Sequence, residues 1–302
     1  MASSVTDFEA IGLALGGFTL WVLADTSIKV IGRSPLPAWE VIAFLGLFVS
    51  ALLAAYCIAR GEAGLLRPRQ PRRQAVRSCL DLINNICVVV ALRHVPLTLF
   101  YILIFTAPLL ITVLAAVFLR ESISPRKAIA LGTGFAGVVI AVNPFGVSRP
   151  GDWIGYVSCM VCVVCFSVNM VWCRVLTRTE TPQSLTFFSG VVMTVTGFAA
   201  MLWRAEPVSL RLLIVLFLAG SFCALGSICF FFAVKHTTAA NVSQYHYTQL
   251  ITGALVTYLV WRELPTAQMV LGGSLIVASG LYIAWLASQR PPRAEALYCA
   301  EP

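Results

Sequence analysis

Ten apolar runs divide this chain, at about 10–31, 37–59, 75–93, 96–119, 127–145, 152–174, 183–203, 211–235, 238–261 and 266–287. A run of about 20 apolar residues matches the hydrocarbon thickness that one α-helix crosses at about 1.5 Å per residue. In lipid, every backbone N–H and C=O must be paired within the protein, so only helices or closed barrels can span it. Barrel strands would be half as long and would alternate in polarity, which these runs do not. The breakers fall between the runs or at their ends: Pro35 and Pro37, Pro68 and Pro71, Pro96, Pro125, Asn143-Pro144, Pro150-Gly151, Pro182 and Pro265. With 59% hydrophobic and only 11% charged residues, no soluble surface can be built, since a soluble domain carries about 25% charge. The expectation is an all-α integral membrane protein of ten transmembrane helices.

The net charge of +8 does not point to nucleic acid, because the basic residues sit in short gaps between apolar runs, as topology signals do. With both termini placed in the cytoplasm, 14 of the 21 Lys and Arg fall on the cytoplasmic side, the densest group being Arg60, Arg67, Arg69, Arg72, Arg73 and Arg77. The positive-inside rule then favours cytoplasmic ends in an inner (plasma) membrane. Asp7 and Glu9 precede the first run, where a signal peptide would be basic, so that run reads as a retained helix. Nine of the ten cysteines lie in or near apolar runs and read as small buried hydrophobes. Cys159, Cys162 and Cys165 have a metal-like spacing but read as one packed helix face, because a closed site needs further ligands and a polar surround.

The chain repeats itself. Ala91-Leu92-Arg93-His94 recurs as Ala233-Val234-Lys235-His236, and Leu119-Arg120-Glu121 as Trp261-Arg262-Glu263, both at an offset of 142 residues, with Thr106 falling on Thr248. Each copy holds five helices, an odd number, so the second must be inverted in the membrane. Inverted repeats let two mirror-related conformations interconvert around one central site. The expected organisation is a cytoplasmic N-terminus at 1–9, a first repeat at 10–145, a linker at 146–151, a second repeat at 152–287 and a cytoplasmic tail at 288–302.

The stretch ALRHVPLTLFYILIFTAPLLITVLAAVFLRE at 91–121, its weaker copy at 233–263 and the opening helix GLALGGFTLWVLADTSIKVIG resemble the EamA-type core of the drug/metabolite transporter superfamily over nearly the whole chain, from about 10 to 287. The resemblance implies two inverted five-helix repeats around a central cavity and transport without nucleotide hydrolysis. It implies a small polar or amphipathic substrate, S-adenosylmethionine-like, riboflavin-like or amino-acid-like. Many members carry an arginine early in helix two; here that stretch is Phe44-Leu45-Gly46, so no role of that arginine carries over.

Polar side chains at membrane depth cost several kcal/mol unless partnered or wet, so each needs a reason. Trp21, Asp25 and Lys29 share a face of the first helix, and Asp25 is either a cavity-wall proton or substrate site or the partner of Lys29. In the third helix Asp81, Asn84 and Asn85 form a patch; Asp81 and Asn85 are candidates for substrate binding, and an ion pair between Asp81 and Arg77, one turn earlier at the helix start, is the structural alternative. Tyr101 and Phe105 lie on one side of the fourth helix, with Pro108 freeing a carbonyl. Asn169 is the polar candidate of the sixth. The ninth is the most polar: Asn241, Gln244, Tyr245, Thr248, Gln249 and Thr252 fall in one stripe, and a substrate cavity is expected there. Glycines in the first, fifth and tenth helices allow close backbone approach.

The expected mechanism is alternating access driven by the substrate gradient or by protons at Asp25 or Asp81. The partners expected are a small-molecule substrate, the lipid bilayer and protons. No cofactor is expected, and the sequence has no phosphate-binding G-x-x-x-x-G-K-[ST]. The rival readings are a membrane-embedded enzyme acting on a lipid or prenyl substrate, which needs clustered carboxylates or histidines near a membrane face, and a channel, which usually builds one pore from several subunits.

Overall fold

The computed structural model describes residues 7–107, 109–110, 113, 125–142, 152–176, 179–236 and 248–288. These residues form ten α-helices and, among them, no strand. In chain order they are α1 (Asp7–Ile31), α2 (Ala38–Ala59), α3 (Pro71–His94), α4 (Leu97–Ile104), α5 (Pro125–Val142), α6 (Asp152–Leu176), α7 (Pro182–Met201), α8 (Leu210–His236), α9 (Thr248–Trp261) and α10 (Ala267–Ser288), with a short 3-10 turn at Ala63–Leu66. Six of them are long and apolar enough to cross a membrane, and three more carry shorter apolar stretches. Ile129, Trp153, Val195, Ile251 and Leu255 are among many large apolar side chains turned outward, which suits contact with lipid and not with water.

Two boundaries differ from the sequence expectation for physical reasons. α3 starts at Pro71, four residues before the apolar run, because proline suits the first helical turn, where an N–H has no partner anyway. In the fourth helix, regular geometry ends at Ile104 and Phe105-Thr106 form a turn, with Thr106 N–H bonded to Leu103 O at 3.0 Å.

Each helix of the first half takes its main partner from the second. α1 packs on α8, α2 on α7, α3 on α6, α4 on α9 and α5 on α10. Numbered within its own half, the first helix meets the third, the third meets the first, and the second, fourth and fifth meet their counterparts. This scheme is unchanged when the halves are exchanged, as a pseudo-two-fold axis requires. Three of these interfaces bring glycines together: Gly17 with Gly226, Gly46 with Gly190 and Gly137 with Gly272. A Cβ on Gly46 would stand 2.6 Å from the Gly190 carbonyl oxygen. Of the sequence-marked glycines, Gly12, Gly16 and Gly132 face open space instead.

Polar clasps close the two ends. At one face, the buried Glu180 carboxylate accepts from Arg69 N at 3.1 Å and Gln70 N at 2.6 Å, at the start of α3, where the helix dipole favours a negative charge. Thr181 Oγ1 caps α7 by accepting from Ser184 N at 3.1 Å and donates to Leu65 O at 2.6 Å. At the opposite face, buried Glu40 accepts from Glu206 N at 2.6 Å, and Trp39 Nε1 donates to Arg204 O at 3.1 Å. Lys29 Nζ there reaches Leu92 O at 3.3 Å and Val95 O at 2.8 Å, capping the end of α3. A carboxylate near the start of α2 thus holds the α7–α8 loop, and one just before α7 holds the α2–α3 loop, so the inversion extends to the clasps. Replacing Glu180 with alanine removes three hydrogen bonds to its carboxylate, from Arg69 N, Gln70 N and Ser184 Oγ, and is expected to destabilise the protein by about 2–4 kcal/mol. A thermal melt of the detergent-solubilised variant checks this; a midpoint equal to wild type would show that the clasp carries no load.

Candidate functional site

Where the halves meet lies a cavity of about 170 Å³ lined by α1, α2, α3, α4, α6, α7, α8 and α9. One side of it is aromatic. The rings of Trp21 and Phe230 lie 4.9 Å apart between centroids, tilted by 38°, with Phe18 edge-on to both at 5.8 Å. Trp21 can sit this close to α8 because residue 226 is glycine: a Cβ there would meet the indole at 2.7 Å. Trp21 Nε1 donates to Ser227 Oγ at 3.3 Å, which satisfies its polar edge.

The other side is polar. Asp25 lines the cavity, and Tyr101 donates its hydroxyl to Asp25 Oδ2 at 2.8 Å. Tyr101 is buried, and its ring lies against Gly253, where a Cβ would come within 2.5 Å of it. The missing side chain on α9 therefore gives α4 room to deliver the phenol to α1. Asp81 lines the same cavity and accepts from Asn169 Nδ2 at 3.4 Å. Asn85 Nδ2 turns back to Asp81 O at 2.8 Å, and Asn84 stands beside it on the wall. Gln249 reaches from α9, its Nε2 donating to Phe18 O at 3.2 Å.

Of the sequence candidates, Trp21, Asp25, Asp81, Asn85, Tyr101, Asn169 and Gln249 come together on this wall. Phe105 is buried in the core, in the turn that ends α4, and is not on the wall. Thr248 is not on the wall either, and the Thr252 hydroxyl bonds back to Thr248 O at 2.9 Å within α9. Asn241, Gln244 and Tyr245 lie outside the described residues, as does Pro108. Cys162 packs against α3, its sulfur 3.5 Å from Asn84 O.

Two pairings that the sequence left open do not form. Lys29 does not reach Asp25, because it is drawn to the free carbonyls at the end of α3. Arg77 does not pair with Asp81. It turns across to α7, donating to Leu185 O at 2.7 Å and, closer still, to Ser189 Oγ. Because α3 begins at Pro71, Arg77 sits more than a turn inside the helix and is only 1% exposed. It lines the cavity with its guanidinium 5.8 Å from the Phe231 ring centroid. Arg204 and Glu206 form an ion pair at the protein surface.

A bundle of two mutually inverted halves, with a cavity of mixed aromatic and polar lining at their junction, is the architecture of a membrane carrier. The family model for EamA-like transporters matches residues 9–143 and 153–285, and the chain belongs to that family. It is 24% identical over 279 residues to a protein of Rickettsia bellii named S-adenosylmethionine uptake transporter, covering 90% of this chain and 93% of the relative. A riboflavin transporter of Brucella anthropi is 23% identical, with 94% and 96% covered. A pseudopaline exporter of Pseudomonas aeruginosa is 26% identical, with 88% and 95% covered. One solved crystal structure, 19% identical, superposes with a TM-score of 0.65 over 92% of this chain and 98% of its own, which supports the fold.

Proposed function

We propose that this chain is a secondary transporter that moves a small polar or amphipathic metabolite across the inner (plasma) membrane by alternating access, with both termini cytoplasmic. The observation that carries the reading is the cavity itself. It draws on both halves and holds two carboxylates with no cation in ion-pair reach among the described residues. Charges placed so deep are functional groups by default. The repeats at 10–145 and 152–287 are the moving units, sliding along glycine contacts at α1–α8, α2–α7 and α5–α10. Opening one clasp while the other stays shut exposes Asp25 and Asp81 to one side at a time. Protons and substrate then compete for the same carboxylates, which couples the two gradients. The names of the relatives direct the substrate search to S-adenosylmethionine-like and riboflavin-like molecules, with amino acids as the third class.

Counterflow in proteoliposomes tests this. Labelled S-adenosylmethionine, riboflavin and an amino-acid set are offered outside vesicles preloaded with the same compound, with and without an imposed pH gradient. The expected result is saturable uptake of one class, accelerated by the preload. Flux linear in concentration and indifferent to the preload would make the protein a channel, and a folded protein that moves none of the three classes would end the carrier reading.

A further inference from the structure

The α2–α3 loop carries a charge excess that the fold does not use. Arg60, Arg67, Arg69, Arg72 and Arg73 are all exposed between positions 60 and 73, against one exposed carboxylate, Glu62. Arg60 lies over the Tyr56 ring and donates to its hydroxyl at 2.7 Å, and Arg73 donates to Gln70 Oε1 at 3.1 Å. The side chains of Arg67, Arg69 and Arg72 make no hydrogen bond or ion pair among the described residues. The inner clasp does not need them either. Glu180 holds Arg69 and Gln70 by their backbone N–H groups, and Thr181 holds Leu65 by its carbonyl. Nor does the inverted architecture call for such charges. The α7–α8 loop is clasped in the corresponding way at the opposite face, yet its Arg204 is paired with Glu206 at 2.9 Å and it opens on exposed Leu202 and Trp203. Like charges crowded into one loop repel one another, and a bound anion relieves them.

The neighbours of these charges say which anion. The last turns of α2 expose Tyr56 and Ile58, and the early turns of α3 expose Val76 and Ile83. These side chains begin the lipid-facing surface, and the arginines stand at its rim, with Tyr56 an aromatic anchor of the kind found at membrane–water boundaries. We infer that the loop docks an anionic phospholipid of the cytoplasmic leaflet, its phosphate on Arg67, Arg69 and Arg72 and its acyl chains along the exposed apolar side chains of α2 and α3. A phospholipid meets both halves of this surface, guanidinium and hydrocarbon, whereas a soluble anion meets only the first. The inference goes beyond the carrier reading and shares with it only the membrane placement, with this loop on the inner side.

The test uses the full-length protein purified in a neutral detergent. Its thermal midpoint is followed during titration with phosphatidylglycerol, phosphatidylcholine, glycerol 3-phosphate and polyglutamate. Phosphatidylglycerol is expected to raise the midpoint, by an amount that shrinks as salt is added, and the other three probes to leave it in place. A triple variant, Arg67→Gln with Arg69→Gln and Arg72→Gln, is expected to need about tenfold or more phosphatidylglycerol for the same shift. The backbone bonds to Glu180 survive these substitutions. A charge-matched triple at the opposite face, Arg33→Gln with Arg204→Gln and Arg211→Gln, is expected to respond as wild type. If the loop triple does not fold, Arg72→Gln alone, expected to weaken the response about fivefold, carries the same comparison. Equal responses from the variants of the two faces would mean that only net charge matters, and would overturn the docking site. Equal stabilisation by phosphatidylcholine, by glycerol 3-phosphate or by polyglutamate overturns it too, the last in favour of a soluble acidic partner. None of these results depends on whether the protein moves a metabolite in counterflow, so either reading can fail while the other stands.

Discussion

Replacing Asp25 with asparagine is expected to cut uptake at limiting substrate by about ten- to a hundredfold, the worth of one charge-assisted hydrogen bond in a sheltered site. The substitution keeps size and shape. Tyr101 can still donate its hydroxyl to the new amide oxygen, as it now does to Asp25 Oδ2 at 2.8 Å. What disappears is the negative charge that meets a cationic substrate or exchanges a proton with it. Thermal stability should therefore stay close to wild type while transport collapses, and a paired melt and uptake assay separates the two. Tyr101→Phe should have a smaller effect, about threefold to tenfold, because the charge remains and only its neutral donor is lost. Full uptake by the asparagine variant would move the site away from Asp25.

The second large effect concerns packing and has opposite signs at different glycines. Gly46 faces Gly190 so closely that a Cβ would lie 2.6 Å from the Gly190 carbonyl oxygen and 2.7 Å from both Met193 Cβ and Thr194 N. Two of those three atoms are backbone, so α2 and α7 must move apart as whole helices. Gly46→Ala is expected to destabilise by about 1–3 kcal/mol, and Gly46→Leu to abolish the folded yield. Gly132 has nothing within 4 Å of its would-be Cβ, so Gly132→Ala removes only the entropy penalty of glycine and should stabilise by up to about 1 kcal/mol. Thermal melts of the alanine pair decide the matter. If both shift the same way, close approach is not what keeps glycine at position 46.

Most of the architecture was legible in the chain because lipid allows so few solutions. Once ten apolar runs are separated by prolines, a helical bundle follows, and Arg93-His94 against Lys235-His236 marks the duplicated helix ends, which the structure places at the ends of α3 and α8. Asp25, Asn85 and Gln249 stood out for one reason: each is polar where a polar group is costly. Arg77 was misread because hydropathy starts α3 at about residue 75, whereas the helix starts at Pro71; the proline was the available signal. Phe105 was assigned to the cavity by extending one period from Tyr101, but its side chain is buried in the core and is not on the wall. Ser189 and Ser227 on the wall, which accept from Arg77 and Trp21, could not be singled out. In sequence such residues look like Thr196 or Ser221, whose hydroxyls only return to their own helix.

The exchange of partners between halves also constrains how the protein is made. α1 leaves the ribosome first, but its partner α8 emerges some two hundred residues later. At roughly 5–20 residues per second, that delay is on the order of ten seconds or more. Through that interval Gly17, Asp25 and the other inward-facing groups of the early helices have only lipid, water defects or one another for company. The newborn first half is thus the point at which quality control can seize the chain, and a pause or truncation before α8 leaves a membrane-embedded orphan.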